Sequence, residues 1–257
     1  MLCIRPIPAF NDNYIWLISR EGDDQAFVVD PGDAAVVEQA LQEHQLNLSG
    51  ILITHHHFDH TGGLVQLREK YRPVVYGPDN SAIEGLDHIV RQGDQVEMLG
   101  EMLKVIEVPG HTLDHIAYFL EGDKPLVFCG DTLFAGGCGR VFEGTPEMMY
   151  TSLCALAELP GDTRIYCAHE YTLANLAFAR AVEPHNGSLA QRIEAAQASR
   201  ARGEPTVPST LALELATNPF VRCETPELQT SLRQQNRLDS DHPAAVFATV
   251  RGWKDSF

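Results

Sequence analysis

Basic residues are scarce in this chain of 257 residues, which has 19 Lys and Arg against 35 Asp and Glu. Its formal net charge at pH 7 is therefore −16. A surface of this sign repels nucleic acid and anionic membranes. The sequence also lacks any run of 18 apolar residues, about the length of a transmembrane helix. We therefore expect no nucleic-acid partner and no membrane span.

Cysteine pairs with the spacing of redox or zinc motifs are also missing. None of the six cysteines forms a Cys-x-x-Cys pair, and most lie in apolar runs. The N-terminal segment MLCIRPIPAF lacks the long apolar core of a secretory signal peptide. These features predict reduced thiols in a cytoplasmic protein. The nucleophilic-serine motif Gly-x-Ser-x-Gly is absent too.

The composition that remains is that of a globular protein, with 44% hydrophobic and 21% charged residues. Up to residue 169, short apolar segments typical of strands alternate with helical ones. Beyond residue 171 only helical periodicity is found, and residues 172–257 carry 9 basic and 9 acidic side chains. All of the net negative charge thus lies in residues 1–171. We predict a mixed α/β domain over residues 1–171 and an α-helical domain over 172–257.

The strongest chemical signal is the segment THHHFDH at residues 54–60, which follows the predicted buried strand GILIT. Alternate residues of a loop can point the same way, so His55 and His57 would share one direction. Asp59 and His60 would then turn towards a neighbouring point. One loop could thus supply two ligands to each of two cations, and imidazole with carboxylate suits Zn, Fe or Mn. A solvated histidine-rich loop is the alternative interpretation.

Three further candidates each follow a predicted strand: His111 in PGHT, Asp131 in CGDT and His169 in CAHE. Each alone is typical of an ordinary turn or cap residue. Together they repeat one design, in which potential ligands lie on loops at the edge of a sheet. The nearby Cys129 and Cys167 lie in apolar strands and are more simply explained as core residues than as nucleophiles.

The ordered set THHHFDH, PGHT, GDT and AHEY resembles the metallo-β-lactamase superfamily. The stretch GGCGRVFEGT, the segment HEYT and the terminal RGWK are similar to the glyoxalase II family, the hydroxyacylglutathione hydrolases. This resemblance covers essentially the whole chain. It implies an α/β fold, in which a metallo-β-lactamase αββα sandwich is followed by an α-helical C-terminal domain that binds glutathione.

The resemblance also implies two divalent metal ions per chain, with zinc favoured and iron or manganese as alternatives. His55, His57 and His111 would hold one metal, Asp59, His60 and His169 the other, and Asp131 would bridge the two. His56 occupies the variable position of the motif and is not expected to be a ligand. Asp30, in VVDPG, would support the metal loop without touching a metal, although a simple helix cap is the alternative. Asp131, Asp59 and Asp30 are thus the carboxylates expected to serve catalysis.

The implied activity is hydrolysis of S-D-lactoylglutathione, or another S-2-hydroxyacylglutathione, to glutathione and D-lactate, the second step of methylglyoxal detoxification. A hydroxide held by both metals would attack the thioester carbonyl. The resemblance assigns binding of the anionic glutathione to five residues: Arg140, Phe142, Tyr171, Arg251 and Lys254. Arg251 and Lys254 lie three apart on a predicted helix and would share a face. Phe142 stands where some members have tyrosine, so it offers packing but no hydroxyl.

Other superfamily hydrolases, such as lactonases, β-lactamases or nucleases, are the first alternative, although a nuclease conflicts with the net charge of −16. A persulfide dioxygenase, which uses one iron, would not need a complete second set of ligands. A non-enzymatic metal-binding protein would be expected to lose some ligands, and all seven positions are filled. The residues leave open which metals are native and which acyl groups are accepted. We expect a monomer.

Replacing His56 by alanine should leave the metal content of the protein unchanged, because alternation turns this side chain away from the direction shared by His55 and His57. Elemental analysis of the purified variant checks this expectation. A fall to nearly metal-free protein would show that the assignment by alternation is wrong.

Overall fold

A computed structural model describes residues 1–257, and the chain divides into two compact units. The first comprises residues 1–107 and 114–130, and the second comprises residues 108–113 and 131–257. This division follows packing, whereas the boundary expected after residue 171 follows the change from strand to helix patterning. That boundary stays a prediction.

The first unit contains a six-stranded sheet whose strands lie in chain order. They are β1 (Leu2–Ala9), β2 (Asn13–Arg20), β3 (Gln25–Val29), β4 (Asn47–Leu52), β5 (Val74–Gly77) and β6 (His88–Ile89). The first three strands pair antiparallel, and β3 to β6 pair parallel. Parallel neighbours need a crossover connection, which helices commonly supply. The helices of this unit are α1 (Ala34–His44), α2 (Phe58–Thr61) and α3 (Leu64–Tyr71).

Helix α1 begins at Ala34 because Asp33 caps it. The Asp33 carboxylate accepts a hydrogen bond from the Ala35 N–H at 2.8 Å, which satisfies one of the free donors of the first turn. The apolar faces of α1 and α3 pack against the sheet in one buried cluster that includes Val37, Leu67 and Ile51. The helices therefore cover one face of this sheet.

Four further strands of the first unit form an antiparallel run: β7 (Gln95–Met98), β8 (Glu101–Glu107), β9 (Ile116–Leu120) and β10 (Leu126–Gly130). The turn between β7 and β8 falls at Leu99 and Gly100, both with positive φ. The hydroxyl of the fully buried Tyr118, on β9, donates to the Ile53 carbonyl at 2.9 Å. Burial raises the pKa of this phenol well above its usual value. The contact ties β9 to the end of β4, where the metal-loop sequence begins.

The second unit holds the remaining strands, β11 (Leu133–Phe134), β12 (Gly137–Cys138), β13 (Arg164–Cys167) and β14 (Ser209–Thr210), and most of the helices. The helices are α4 (Pro146–Ala157), α5 (Thr172–Val182), α6 (Gly187–Ala201), α7 (Leu211–Thr217), α8 (Pro226–Gln234), α9 (Pro243–Asp255) and a 3-10 turn (Pro219–Val221). Strand β14 differs from the all-helical expectation for residues 172–257. It pairs antiparallel with β13, and its two residues are too few to show a period-2 pattern.

A buried polar network in the second unit joins α6 and α7 to the β11–β12 hairpin. The Arg192 guanidinium pairs with Glu214, which is fully buried. Glu214 Oε2 accepts the Gly136 N–H at 2.9 Å, and Asn218 Nδ2 donates to the Gly137 carbonyl at 2.9 Å. These bonds hold the backbone of the hairpin to the helical region.

No helix of either unit combines the length and the hydrophobicity that a membrane span requires.

Candidate metal centre

The loop that follows β4 brings four candidate ligands together within the first unit. His55 Nε2 lies 3.1 Å from His57 Nδ1, and Asp59 Oδ2 lies 3.4 Å from His60 Nε2. His55 and His60 are fully buried. Two buried imidazoles are incompatible with a solvated histidine-rich loop, so the structure favours the metal-ligand interpretation of this segment.

Asp30 is the acceptor that orients the loop. Its Oδ1 accepts the Thr54 N–H at 2.7 Å, while its Oδ2 accepts the Thr54 hydroxyl at 2.8 Å and faces His60 Nδ1 at 3.0 Å. An ionised carboxylate can only accept, so His60 carries its proton on Nδ1 and keeps the Nε2 lone pair for a metal. Asp33, not Asp30, caps α1, which excludes the helix-cap alternative for Asp30.

Two other histidines of the first unit have different surroundings. His56 Nδ1 lies 2.9 Å from Asp114 Oδ1, and the second oxygen of Asp114 accepts a hydrogen bond from Asn80 at 3.0 Å. His115 is buried and stacks on His55, with ring centroids 4.6 Å apart. Sequence reasoning missed His115, because one histidine at the start of an apolar strand carries no distinguishing spacing.

The second unit presents the three remaining candidates around one carboxylate. Asp131 Oδ2 lies 3.4 Å from His111 Nε2 and 3.3 Å from His169 Nε2. His111 Nδ1 donates to the Arg140 carbonyl at 2.7 Å, so the neutral ring of His111 carries its lone pair on Nε2. Gly139 makes room for this arrangement, since a Cβ there would lie 1.9 Å from the Asp131 carbonyl oxygen. This explains the glycine of the GCGR segment.

The donor atoms fit divalent cations. Ligand atoms bound tetrahedrally at about 2.0–2.1 Å lie about 3.3–3.4 Å from one another. The pairs within each unit match that spacing, at 3.4 Å for Asp59 with His60 and 3.3 Å for Asp131 with His169. Neutral imidazole and carboxylate are ligands that zinc, iron and manganese accept. The donor atoms within each unit therefore fit metal binding.

Three residues assigned to substrate binding lie beside these candidate ligands in the second unit. Phe142, 60% exposed, packs edge-to-face on His111 at 5.2 Å between ring centroids. Tyr171 stacks on His169, with centroids 4.7 Å apart. The exposed Arg140 side chain lies 3.6 Å from the carboxylate of Asp255 and 5.9 Å from the Phe142 ring.

Arg251 and Lys254 are not two exposed charges on an open helix face. Arg251 is 7% exposed, and its guanidinium donates to the carbonyls of Cys138 at 3.2 Å and Gly139 at 3.4 Å and to Asp255 at 2.8 Å. Lys254 is half-buried, with Nζ 3.4 Å from the Ala174 carbonyl. Burial, followed by the Arg251 charge, lowers the pKa of Lys254.

Burial affects two cysteines of the second unit, Cys138 and Cys167. Burial raises the pKa of Cys167 to about 12 and that of Cys138 to about 11, so both remain thiols. Cys129 is fully buried in β10, and all six cysteines are free of disulfides. This agrees with the expectation that Cys129 and Cys167 are core residues.

Comparisons with known proteins identify the chain at two levels. A family model described as the metallo-β-lactamase superfamily matches residues 10–169, and one described as the hydroxyacylglutathione hydrolase C-terminus matches residues 170–257. The hydroxyacylglutathione hydrolase of Chromohalobacter salexigens is 51% identical over 257 residues, covering 100% of both chains. The crystal structure of ETHE1 from Myxococcus xanthus is 28% identical, with a TM-score of 0.66 and 99% of both chains covered. A structure described as TTHA1623 in a di-iron-bound form is 25% identical, with a TM-score of 0.61, and covers 84% of this chain and 99% of its own.

The αββα fold and the histidine-aspartate loop thus define an enzyme of the metallo-β-lactamase superfamily. Within that superfamily the chain belongs to the hydroxyacylglutathione hydrolases, the glyoxalase II family. The predicted fold, a sandwich followed by an α-helical C-terminal domain, is confirmed. The superfamily fold also implies a dinuclear site for divalent metals built from His and Asp side chains.

Replacing Asp30 by asparagine should lower metal affinity or activity about 10–100-fold, the usual effect of losing a group that orients a ligand. An amide nitrogen cannot accept the bonds that Asp30 now receives from Thr54 and His60. Metal retention during dialysis against a chelator is the measurement. Asp33→Asn is the matched control, because asparagine also caps helices well. Retention equal to that of the unmodified protein would show that Asp30 does not support the metal loop.

Proposed function

We propose that this chain hydrolyses S-D-lactoylglutathione and related S-2-hydroxyacylglutathiones to glutathione and the 2-hydroxy acid, D-lactate in the first case. The observation that carries the proposal is the match of residues 170–257 to the hydroxyacylglutathione hydrolase C-terminus. A lactonase or β-lactamase has no need of such a region. The two family models meet between residues 169 and 170, which supports a catalytic domain over 1–171 and a glutathione-binding domain over 172–257.

For the metal site we propose two ions, most simply zinc, with iron or manganese as alternatives. One ion would be held by His55, His57 and His111, the second by Asp59, His60 and His169, with Asp131 shared between them. The position of Asp131 supports a bridging role, since one oxygen lies at similar distances from His111 and His169. The di-iron form of TTHA1623 shows that a similar protein holds two metals.

When bound, two such cations would supply an activated water and polarise the thioester carbonyl. The protein's part is to orient the donors: Asp30 fixes His60, and the Arg140 carbonyl fixes His111. The rings of Phe142 and Tyr171 lie against His111 and His169 and would line the approach of the thioester. Thiols have a pKa of about 8.5, so the glutathione thiolate leaves without a strong protein acid.

For glutathione itself we propose Arg140 and Lys254 as direct partners of its carboxylates, with Arg251 beside them. Arg140 is exposed and Lys254 half-buried, so both charges can be reached by a ligand. Arg251 already donates to three protein oxygens. It therefore acts mainly by holding the backbone of residues 138 and 139, just before Arg140. We also propose that the protein works in the cytoplasm, which the free cysteines support, and that it is a monomer.

Fully active protein should contain two metal ions per chain, and Asp131→Ala should remove activity and weaken both sites, because one carboxylate serves both. Elemental analysis of the unmodified protein and the variant, together with hydrolysis of S-D-lactoylglutathione, gives the measurement. One metal per chain in fully active protein would contradict the dinuclear site. Two metals without thioester hydrolysis would instead favour a lactonase, and an iron-dependent oxidation of glutathione persulfide would favour the dioxygenase.

Replacing Lys254 by alanine should lower kcat/KM for a glutathione thioester about 10–150-fold, since a charge-assisted hydrogen bond contributes roughly 1.5–3 kcal/mol. The same variant should barely change the hydrolysis of a small thioester that lacks the glutathione carboxylates. Steady-state kinetics on both substrates make the comparison.

Arg251→Ala is the informative companion variant. Because Arg251 holds the Cys138 and Gly139 carbonyls, its loss should slow hydrolysis of both thioesters and loosen metal binding at His111. An effect limited to the glutathione substrate would mean that Arg251 acts only as a carboxylate ligand. Equal losses on both substrates for Lys254→Ala would contradict its role in binding glutathione.

A further inference from the structure

Asn13 is a buried polar residue that the proposed ligand set does not use. It begins β2, is 7% exposed, and pairs with Ala9 across the tight turn between β1 and β2. An amide with this degree of burial is costly unless its polar atoms find partners. Its Nδ2 donates to Oδ2 of Asp59 at 2.9 Å, so the partner is one of the candidate metal ligands.

The oxygen that Asn13 contacts is the one that faces the neighbouring histidine. Asp59 Oδ2 also lies 3.4 Å from His60 Nε2. The Asp59 side chain is 39% exposed, so packing alone restrains its carboxylate little. His60, by contrast, is fully buried and is oriented by Asp30. The two adjacent candidates therefore have separate supports, Asp30 behind His60 and Asn13 beside Asp59.

The position of Asn13 is fixed by close packing around the turn. Phe10, in the turn, adopts a left-handed conformation with φ 51°. A Cβ at Gly32 would lie 2.9 Å from the Phe10 ring and 1.9 Å from the Asp59 carbonyl oxygen. The turn, Gly32 and the metal loop therefore pack closely against one another. Asn13 thus lies in a closely packed turn beside the loop that carries Asp59.

We propose that Asn13 is a positioning residue for Asp59. Its hydrogen bond fixes the rotation of the carboxylate, so that Asp59 and His60 face the same cation. An amide can do this without a positive charge, whereas a lysine or arginine at this point would repel the metal. The inference rests on the proposed function, in which Asp59, His60 and His169 hold one of two metals.

The test uses Asn13→Ala and Asn13→Leu, which both remove the donor while leucine also fills the space. We expect one of the two zinc ions to bind about 10–100-fold more weakly in both variants, with the other unchanged. Zinc binding isotherms and elemental analysis after dialysis against a chelator measure this. Thermal unfolding of the metal-free proteins reports any general loss of stability separately.

Asn47→Ala is the matched control, because Asn47 Nδ2 donates to Asp24 Oδ2 at 2.7 Å between exposed side chains of the same unit. It removes the same kind of hydrogen bond and should leave both zinc ions bound. Retention of both ions in the Asn13 variants, or an equal weakening of both, overturns the inference. An unmodified protein that binds fewer than two zinc ions would instead overturn the proposed dinuclear site.

Discussion

Hydrogen bonds from Thr54 at 2.7 and 2.8 Å and from His60 at 3.0 Å converge on the carboxylate of Asp30. Asp30 follows β3 and Thr54 follows β4, two neighbouring parallel strands. The sheet register therefore determines where the metal loop starts. Asp30 adopts a left-handed conformation, with φ 53°, which costs a residue other than glycine about 1–2 kcal/mol. The three bonds act against that cost and orient the ring of His60, the candidate ligand.

In the second unit, a backbone carbonyl orients a candidate metal ligand, where the first unit uses a carboxylate. His111 is oriented by the Arg140 carbonyl, and the residues just before Arg140 are held by Arg251. Glu214 and Asn218 in turn hold the backbone of the β11–β12 hairpin by hydrogen bonds. The helical region of the chain thus supports the segment that carries the candidate ligand's acceptor. This structural role is separate from the proposed binding of glutathione.

Local signals explain what could be predicted from the sequence. Helix α1, at residues 34–44, is predictable from the sequence, because its cap and its apolar periodicity are both short-range features. The ligand candidates could be recognised because seven suitable side chains follow strands in a familiar order. The two-residue strand β14 could not, since pairing with β13 depends on tertiary contact.

The hydrogen-bond partners of individual side chains could not be predicted from the sequence. The spacing of Arg251 and Lys254 places them on one helix face. It does not show that the Arg251 guanidinium already donates hydrogen bonds to two backbone carbonyls. Asn13 escaped notice for a similar reason. An asparagine next to a turn is common for local reasons, and only the fold shows that its amide reaches Asp59, 46 positions along the chain.

Arg140 contributes to the site through two chemically independent groups. Its carbonyl oxygen accepts the His111 N–H, while its guanidinium lies exposed near Asp255 and Phe142. The carbonyl belongs to the main chain, so any amino acid at this position supplies it. A substitution here can therefore remove the guanidinium while His111 keeps its backbone acceptor. The orientation of His111 is thereby separated from the choice of side chain at residue 140.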